Sequence, residues 1–303
     1  MLDGILAIHK EVGMTSHDVV FKLRKILKTK KVGHTGTLDP EVSGVLPICI
    51  GKATRVSDYV MESGKKYVAE VSIGKSTTTE DQTGEVVSTK DVEDNKWNKR
   101  DIEAALTQLI GEIEQIPPMY SAVKVNGKKL YEYARQNIEV ERPVRKVFIK
   151  NIDLLTDITY EDNQCKFKVE IDCGKGTYIR TLATQIGELL HYPAHMSHLI
   201  RTNSGGFSLE QAIKLDELRD IVEQDRLQEV LLPLEYGLNG LDKEIIFEQE
   251  IVKRIQNGQK IAKHHFENEH IQEFVVWYDD KAIAIMDTYD KNNELYKPKK
   301  VFL

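Results

Sequence analysis

The stretch Gly33-His34-Thr35-Gly36-Thr37-Leu38-Asp39-Pro40 decides how the rest of the sequence is interpreted. Glycine permits backbone conformations that other residues resist and lets another molecule approach closely. Pro40 fixes its own φ and biases Asp39 toward an extended backbone. Because the apolar run 45–50 predicts a buried strand, the carboxylate of Asp39 stands at the rim of a loop beside that strand. Such a group is a candidate nucleophile or base, although an Asp before Pro is also common in turns, where it only bonds to backbone N–H groups.

The charge distribution indicates phosphate-binding surfaces on an acidic protein. The 303 residues carry a net charge of −6. The segment 19–38 nevertheless contains only basic charges, and residues 120–150 hold eight Lys or Arg against three Glu. Affinity for a nucleic acid depends on the charges close to its backbone, so an RNA partner is compatible with this sequence. A basic run is also commonly just a solvated face.

The remaining composition predicts a cytoplasmic protein without a metal. No apolar run approaches the roughly 18 residues of a membrane span, and the first residues lack the pattern of a secretory signal. Three cysteines argue for a reducing compartment rather than a disulfide framework. His191, His195 and His198 have a spacing that suggests a metal site, but a helix end, a proline turn and a strand are expected to scatter them.

Periodicity predicts an α+β fold with a large mixed sheet flanked by helices and a small β-rich unit at the C-terminus. The sequence predicts a helix capped by Thr15, a second helix from Thr54 to about Glu62, and an acidic helical stretch over 208–230. It also predicts that residues 84–87 pair with the strand 66–73. Residues 236–240 are interpreted as a linker between domains 1–238 and 239–303.

Three motifs together resemble the TruB family of tRNA pseudouridine synthases. The first is the opening string, which continues through Ser43-Gly44-Val45-Leu46-Pro47 to Gly51-Lys52-Ala53-Thr54-Arg55; the family pattern is GHTGxLDP, GxLP and GxATK. Arg55 departs from the usual Lys but keeps the charge. The second is PPMYSAVKVNGKKLYEYAR from Pro117, and the third is KGTYIR over 175–180. The resemblance implies a pseudouridine synthase catalytic fold, with a PUA-like RNA-binding domain over 239–303.

The resemblance also assigns roles to individual residues. It implies that Asp39 is the catalytic carboxylate, that Arg180 pairs with it, and that Tyr178 lies against the target base. The ring of Tyr67 is expected to stack on the extruded uracil. Leu199 is expected to lie below the base as an apolar support, and His34 is expected to fill the space that the flipped base leaves. An RNA-clamping thumb (about 117–147) is expected to contact phosphates through Lys128, Lys129 and Arg135. The strand pattern alone favours a core tyrosine at position 67.

The implied reaction is isomerisation of uridine 55 in the TΨC arm of tRNA, with the base flipped out of its stack. No cofactor and no obligatory protein partner are expected. Whether Asp39 attacks C1′, attacks C6 or removes the C2′ proton stays open. Two alternatives also stay open: a noncatalytic RNA-binding module that kept the groove, and another carboxylate-dependent enzyme on RNA, such as a glycosylase.

Overall fold

The computed structural model describes residues 2–302, and the elements below are those of that range. The strands β1 to β19 span, in chain order, Gly4–Lys10, Val32–His34, Ser43–Ile50, Lys65–Ile73, Lys75–Thr77, Val86–Thr89, Gly111–Gln115, Lys124–Val125, Lys128–Lys129, Arg145–Leu154, Thr159–Glu161, Gln164–Cys173, Ala194–Ser204, Phe207–Ser208, Asp242–Ile245, Ile261–Ala262, Glu273–Tyr278, Lys281–Thr288 and Leu295–Val301. The helices α1 to α7 span Ser16–Ile26, Ser57–Glu62, Lys99–Thr107, Leu130–Ala134, Ile179–Leu189, Leu215–Glu223 and Gln249–Gln256.

A large mixed sheet organises the first part of the chain. Its central path runs β1-β3-β13-β4-β12-β10-β7, with β2, β11 and β14 attached to its members. The pair β3 and β13 is parallel, and the other pairs of this path are antiparallel. The predicted α+β class with a large mixed sheet is therefore confirmed.

Strand alternation divides the sheet between two apolar cores. In β1, Leu6 and Ile8 join the core that also contains residues of α1, α3 and α5, whereas Ile5 and Ala7 join a second core on the other face. Successive side chains of a strand point to opposite faces, so an uninterrupted apolar strand must be covered on both sides. The second core includes Ile285 of the C-terminal unit.

The C-terminal unit is a five-stranded sheet in the order β15-β17-β18-β19-β16, packed against α7. Its last strand is tied to the first part of the chain: the Lys300 ammonium donates to Asp58 Oδ2 at 2.8 Å and to the Arg55 carbonyl at 2.7 Å. The small β-rich C-terminal unit predicted from the sequence is therefore present. Its assignment as a PUA-like RNA-binding domain stays a prediction.

Several local predictions are confirmed. Thr15 and Asp18 form the reciprocal capping box of α1. The alternating residues of β12, from Cys165 to Cys173, face the core. The turn Asn126-Gly127 joins β8 to β9, as its sequence indicates.

Other local predictions are wrong. The strand β6 pairs with β5 in a separate hairpin rather than with β4, since β12 and β13 occupy the two edges of β4. The hydroxyl of Thr54 lies inside a 3₁₀ segment, Gly51–Val56, and bonds to the Gly51 carbonyl, so it does not begin a helix. The helical stretch predicted over 208–230 is by contrast present, as α6 between the 3₁₀ turns Leu209–Gln211 and Leu227–Glu229. The expected linker forms a 3₁₀ turn, Leu234–Leu238, whose Leu238 is buried in the second core.

No helix within residues 2–302 combines the length and apolar character that crossing a membrane requires.

Candidate active site

The loop that carries Asp39 is fixed from both sides, between β2 and β3. The Ser16 hydroxyl accepts from the Leu38 N–H at 2.8 Å, and the Thr35 N–H donates to the Pro47 carbonyl at 3.1 Å. From behind, the buried Lys10 ammonium donates to the Pro40 carbonyl at 3.2 Å. Burial lowers the pKa of Lys10 to about 8. These contacts hold the backbone on both sides of Asp39, whose carboxylate remains 45 % exposed.

Arg180 connects Asp39 to a second carboxylate. Its Nη2 lies 3.0 Å from Asp39 Oδ2, and its Nη1 lies 3.7 Å from Asp81 Oδ2. The same two nitrogens donate to the Tyr120 carbonyl at 2.9 Å and the Thr79 carbonyl at 3.2 Å. A planar guanidinium can serve four acceptors in fixed directions. Because Arg180 is buried, the orientation of its fork is set by the protein and in turn orients the Asp39 carboxylate.

Asp81 is locked in place by its other oxygen. Its Oδ1 accepts from the Thr79 hydroxyl at 2.7 Å, the Thr83 hydroxyl at 2.6 Å and the Thr83 N–H at 2.9 Å. Only its Oδ2 therefore faces Arg180. Sequence reasoning missed Asp81, although the Thr-rich string around it, Thr77-Thr78-Thr79-Glu80-Asp81, offers such donors.

Aromatic and apolar side chains line the wall beside Asp39. Tyr67 and Leu199 come from the paired strands β4 and β13, and both are nearly buried. Tyr178 directly precedes α5, where its N–H donates to Gln115 Oε1 at 2.9 Å and its carbonyl accepts from Gln115 Nε2 at 3.2 Å. The buried Gln115 thus fixes the backbone from which the Tyr178 side chain enters the site.

These residues line one cleft of about 880 Å³. The sequence-predicted residues that it brings together are Asp39, Tyr67, Arg135, Tyr178, Arg180 and Leu199. Its further basic lining residues are Lys65, Arg145, Lys146, Lys175 and Arg201. One acidic group therefore sits in a cleft whose rim and floor are predominantly positive, as expected of a site for a phosphate-bearing ligand.

Three predicted site residues lie outside the cleft lining. His34 is the last residue of β2, and its Nδ1 is buried without a hydrogen-bond partner in the described part of the chain. Burial lowers the pKa of His34. Lys128 and Lys129 form β9 of the thumb hairpin, where their ammonium groups lie over the rings of Tyr133 and Tyr131, at 6.0 and 5.4 Å from the centroids.

Two buried cations of the cleft floor were also missed. Arg201 is completely buried, and Lys65 donates to the Met61 carbonyl at 2.9 Å. Burial lowers the pKa of Lys65 to about 8. The place of Arg201 beside the loop that carries Asp39 depends on the parallel pairing of β13 with β3, which no local sequence pattern records.

Within residues 2–302, no group of three or more His, Cys, Asp or Glu side chains is arranged to hold a metal ion. The Nδ1 of His195 instead lies 2.8 Å from the Lys75 carbonyl.

Comparisons with known proteins identify relatives over the full chain. The model described as "TruB family pseudouridylate synthase (N terminal domain)" matches residues 24–179, and the model described as "tRNA pseudouridylate synthase B C-terminal domain" matches residues 180–239. The chain is 59 % identical over 305 aligned positions to the tRNA pseudouridine synthase B of Staphylococcus aureus strains JH9 and Newman, with 100 % of both chains covered.

Solved structures show the same fold. A chain of the Cbf5–Nop10–Gar1 complex aligns with a TM-score of 0.73 and 30 % identity, over 99 % of this chain and 85 % of that one. A chain of an H/ACA RNP bound to a substrate RNA containing 2′-deoxyuridine aligns with a TM-score of 0.72 and 26 % identity, with the same coverage.

Proposed function

The chain belongs to the TruB family of pseudouridylate synthases, and from this premise we propose that it isomerises uridine 55 in the TΨC arm of tRNA. As a pseudouridine synthase it is an isomerase. The choice of RNA is supported by the name of its S. aureus relatives, tRNA pseudouridine synthase B, which match from end to end. The choice of position 55 rests on the resemblance of the three sequence motifs.

The observation that carries the proposal is the Asp39–Arg180 ion pair at the open face of a basic cleft. The reaction breaks the C1′–N1 bond of uridine, forms a C1′–C5 bond, releases the C5 proton and places a proton on N1. Atoms and oxidation state are unchanged, so this chemistry requires no cofactor. Asp39 acts as the carboxylate that contacts the nucleoside, and the Arg180 fork keeps it oriented toward the cleft.

The residues beside Asp39 hold a base that has left its stack. Tyr67 offers the base an aromatic ring, and Leu199 offers it an apolar surface. Tyr178 lines the cleft from the start of α5. Stacking of a base on an aromatic ring contributes roughly 1–3 kcal/mol, which offsets part of the cost of flipping a base, a few kcal/mol. His34 fills the space that the base leaves in the RNA. Its position at the end of β2, outside the cleft lining, fits a contact with the stacked RNA rather than with the flipped base.

The thumb holds the RNA arm by its phosphates. Arg135 lines the cleft and stacks its guanidinium 5.2 Å from the Tyr131 ring centroid. Lys128 and Lys129 stand on the hairpin before it, so their charges extend the basic surface away from the cleft. The C-terminal unit over 239–303 serves as a second, PUA-like RNA-binding surface. The proposal places this reaction in the cytoplasm and assigns no obligatory protein partner to it.

The test is release of tritium from C5 of uridine. An unmodified TΨC stem-loop with [5-³H]uridine is incubated with the wild-type protein, with Asp39→Asn, and with Asp216→Asn as a matched control on the exposed surface of α6. We expect release by wild type and the control, and none by Asp39→Asn, with binding of the stem-loop retained in all three. The product must keep the mass of the substrate and contain pseudouridine at position 55.

Other outcomes discriminate the alternatives. A free base in solution indicates a glycosylase, and binding without any change in the RNA indicates a noncatalytic module. Release that continues in Asp39→Asn removes Asp39 from the chemistry.

A further inference from the structure

Arg201 is a buried cation without an acidic partner among the described residues. Its side chain is fully buried, and no carboxylate of residues 2–302 forms an ion pair with it. Burial lowers its pKa. Taking a charge out of water costs several kcal/mol unless partners compensate, so stability alone is a poor reason for an arginine at this position. Arg180, by contrast, pairs with two carboxylates.

The contacts of Arg201 connect three separate parts of the site. From β13, its Nε donates to the Val45 carbonyl of β3 at 2.7 Å, and its Nη2 donates to the Gly36 carbonyl of the catalytic loop at 3.1 Å. On its other side, Arg201 is paired across the strands with Tyr67 of β4. The loop that carries Asp39 and the strand that carries Tyr67 therefore meet at one rigid group.

Two glycines of the signature lie next to Arg201. A Cβ on Gly44 of β3 would lie 2.2 Å from the Arg201 carbonyl oxygen, so the close approach of β3 to β13 requires glycine there. A Cβ on Gly36 would be in ordinary contact with Arg201 Nη1, at 3.5 Å, but the φ of +126° at this residue is in the range that favours glycine.

We propose that Arg201 is a positioning residue that sets the catalytic loop and the Tyr67 ring in register with each other. It does this by bonding to the Gly36 and Val45 carbonyls with one planar fork, from the β13 position that is paired with Tyr67. This inference rests on the proposed function, since it concerns how the Asp39 carboxylate meets a base held by Tyr67. Its effect is on the rate of isomerisation, because the residue is buried beneath the surface that the RNA covers.

Arg201→Lys is the decisive variant. Lysine keeps the positive charge but presents a single nitrogen, so it cannot reach both the Val45 carbonyl and the Gly36 carbonyl in the directions of the fork. A misplacement of about 1 Å can reduce a rate by about 100-fold. We expect the single-turnover rate constant for tritium release to fall by about 10- to 100-fold, with the Kd for the stem-loop within about twofold of wild type.

A double-mutant cycle with Tyr67→Ala separates positioning from simple support of the fold. If Arg201 acts partly through the placement of the Tyr67 ring, Arg201→Lys costs at least about threefold less in the Tyr67→Ala protein, which has no ring to place, than in wild type. Arg219→Lys, on the exposed face of α6, is the matched control and leaves rate, Kd and thermal midpoint unchanged.

The outcomes are distinct. An Arg201→Lys protein with the wild-type rate, or one that loses RNA affinity and thermal stability in proportion to its rate, refutes the proposal. Equal effects of Arg201→Lys in both backgrounds remove the link to Tyr67 and also refute it. Failure of the wild-type protein to release tritium instead refutes the proposed function.

Discussion

The fork of Arg180 gives the sharpest quantitative prediction for the candidate site. In Arg180→Lys the charge remains, but one ammonium replaces two nitrogens that point to opposite sides. Nη2 serves Asp39 and the Tyr120 carbonyl, whereas Nη1 serves Asp81 and the Thr79 carbonyl. Lysine can therefore satisfy one side only, and Asp81 is the better anchored side because three donors hold its other oxygen.

The magnitude follows from the bond to Asp39 that is lost. A hydrogen bond to a charged group contributes about 1.5–3 kcal/mol. Each 1.36 kcal/mol of lost transition-state stabilisation is a factor of ten in rate. We therefore expect a rate constant about 10- to 150-fold below wild type. The 3.0 Å contact lies at a half-exposed carboxylate, so water screens part of it and we expect a value in the lower half of this range.

The assay is single-turnover tritium release with enzyme in excess over the labelled stem-loop, which removes substrate binding from the measured rate. Fluorescence anisotropy reports the Kd of each variant. Arg226→Lys is the matched control, because Arg226 likewise forms an ion pair with a carboxylate. It donates through Nε and Nη2 to Glu229, at the exposed surface and outside the cleft lining. A rate for Arg180→Lys within about threefold of wild type, or a rise in Kd that accounts for the loss, refutes the reasoning.

Further predictions address stacking, RNA contact, burial and pH. Tyr67→Ala should lower the single-turnover rate constant by about 5- to 150-fold, from a stacking contribution of 1–3 kcal/mol, and Tyr67→Phe by only a few-fold; an equally severe Phe variant assigns the main role to the hydroxyl. Arg135→Glu should raise the Kd for the stem-loop and lower the slope of log Kd against the logarithm of the salt concentration, while the rate constant at saturating enzyme stays near wild type. An unchanged slope would show that Arg135 does not contact phosphates. Ile285→Ala should cost about 2–5 kcal/mol in a single urea transition, because Ile285 packs in the core shared with Ile5; two separate transitions show that the C-terminal unit unfolds independently. Burial lowers the pKa of Lys65 to about 8 from 10.5, so between pH 8 and pH 10.5 the folded state binds fewer protons than the unfolded state and Lys65 makes the free energy of unfolding rise with pH. The urea midpoint should therefore rise less between pH 8 and pH 10 in Lys65→Met than in wild type. An identical rise in both proteins excludes the effect.

The fold class and the main elements followed from local patterns. The capping box at Thr15 and Asp18 is closed within one turn of helix, so four residues of sequence contain all the information it needs. The alternation of β12 depends only on which residues can face a core. The strand β6 was misplaced because its choice of partner depends on which edges of β4 are already occupied, and no local pattern records that.

The sequence by itself determined which side chains are available for chemistry. The string from Gly33 to Pro40 specifies an aspartate at the rim of a glycine-rich loop, and KGTYIR specifies an arginine at the start of α5. Only the tertiary structure decided that Arg180 reaches Asp39 and Asp81 together, and that Arg201 lies beneath the loop that carries Asp39. These contacts join residues 99 or more positions apart. The contact of Arg201 arises because β13 enters the sheet between β3 and β4. Strand order is set by the packing of whole apolar faces, so it is a property of the assembled sheet and not of any one segment.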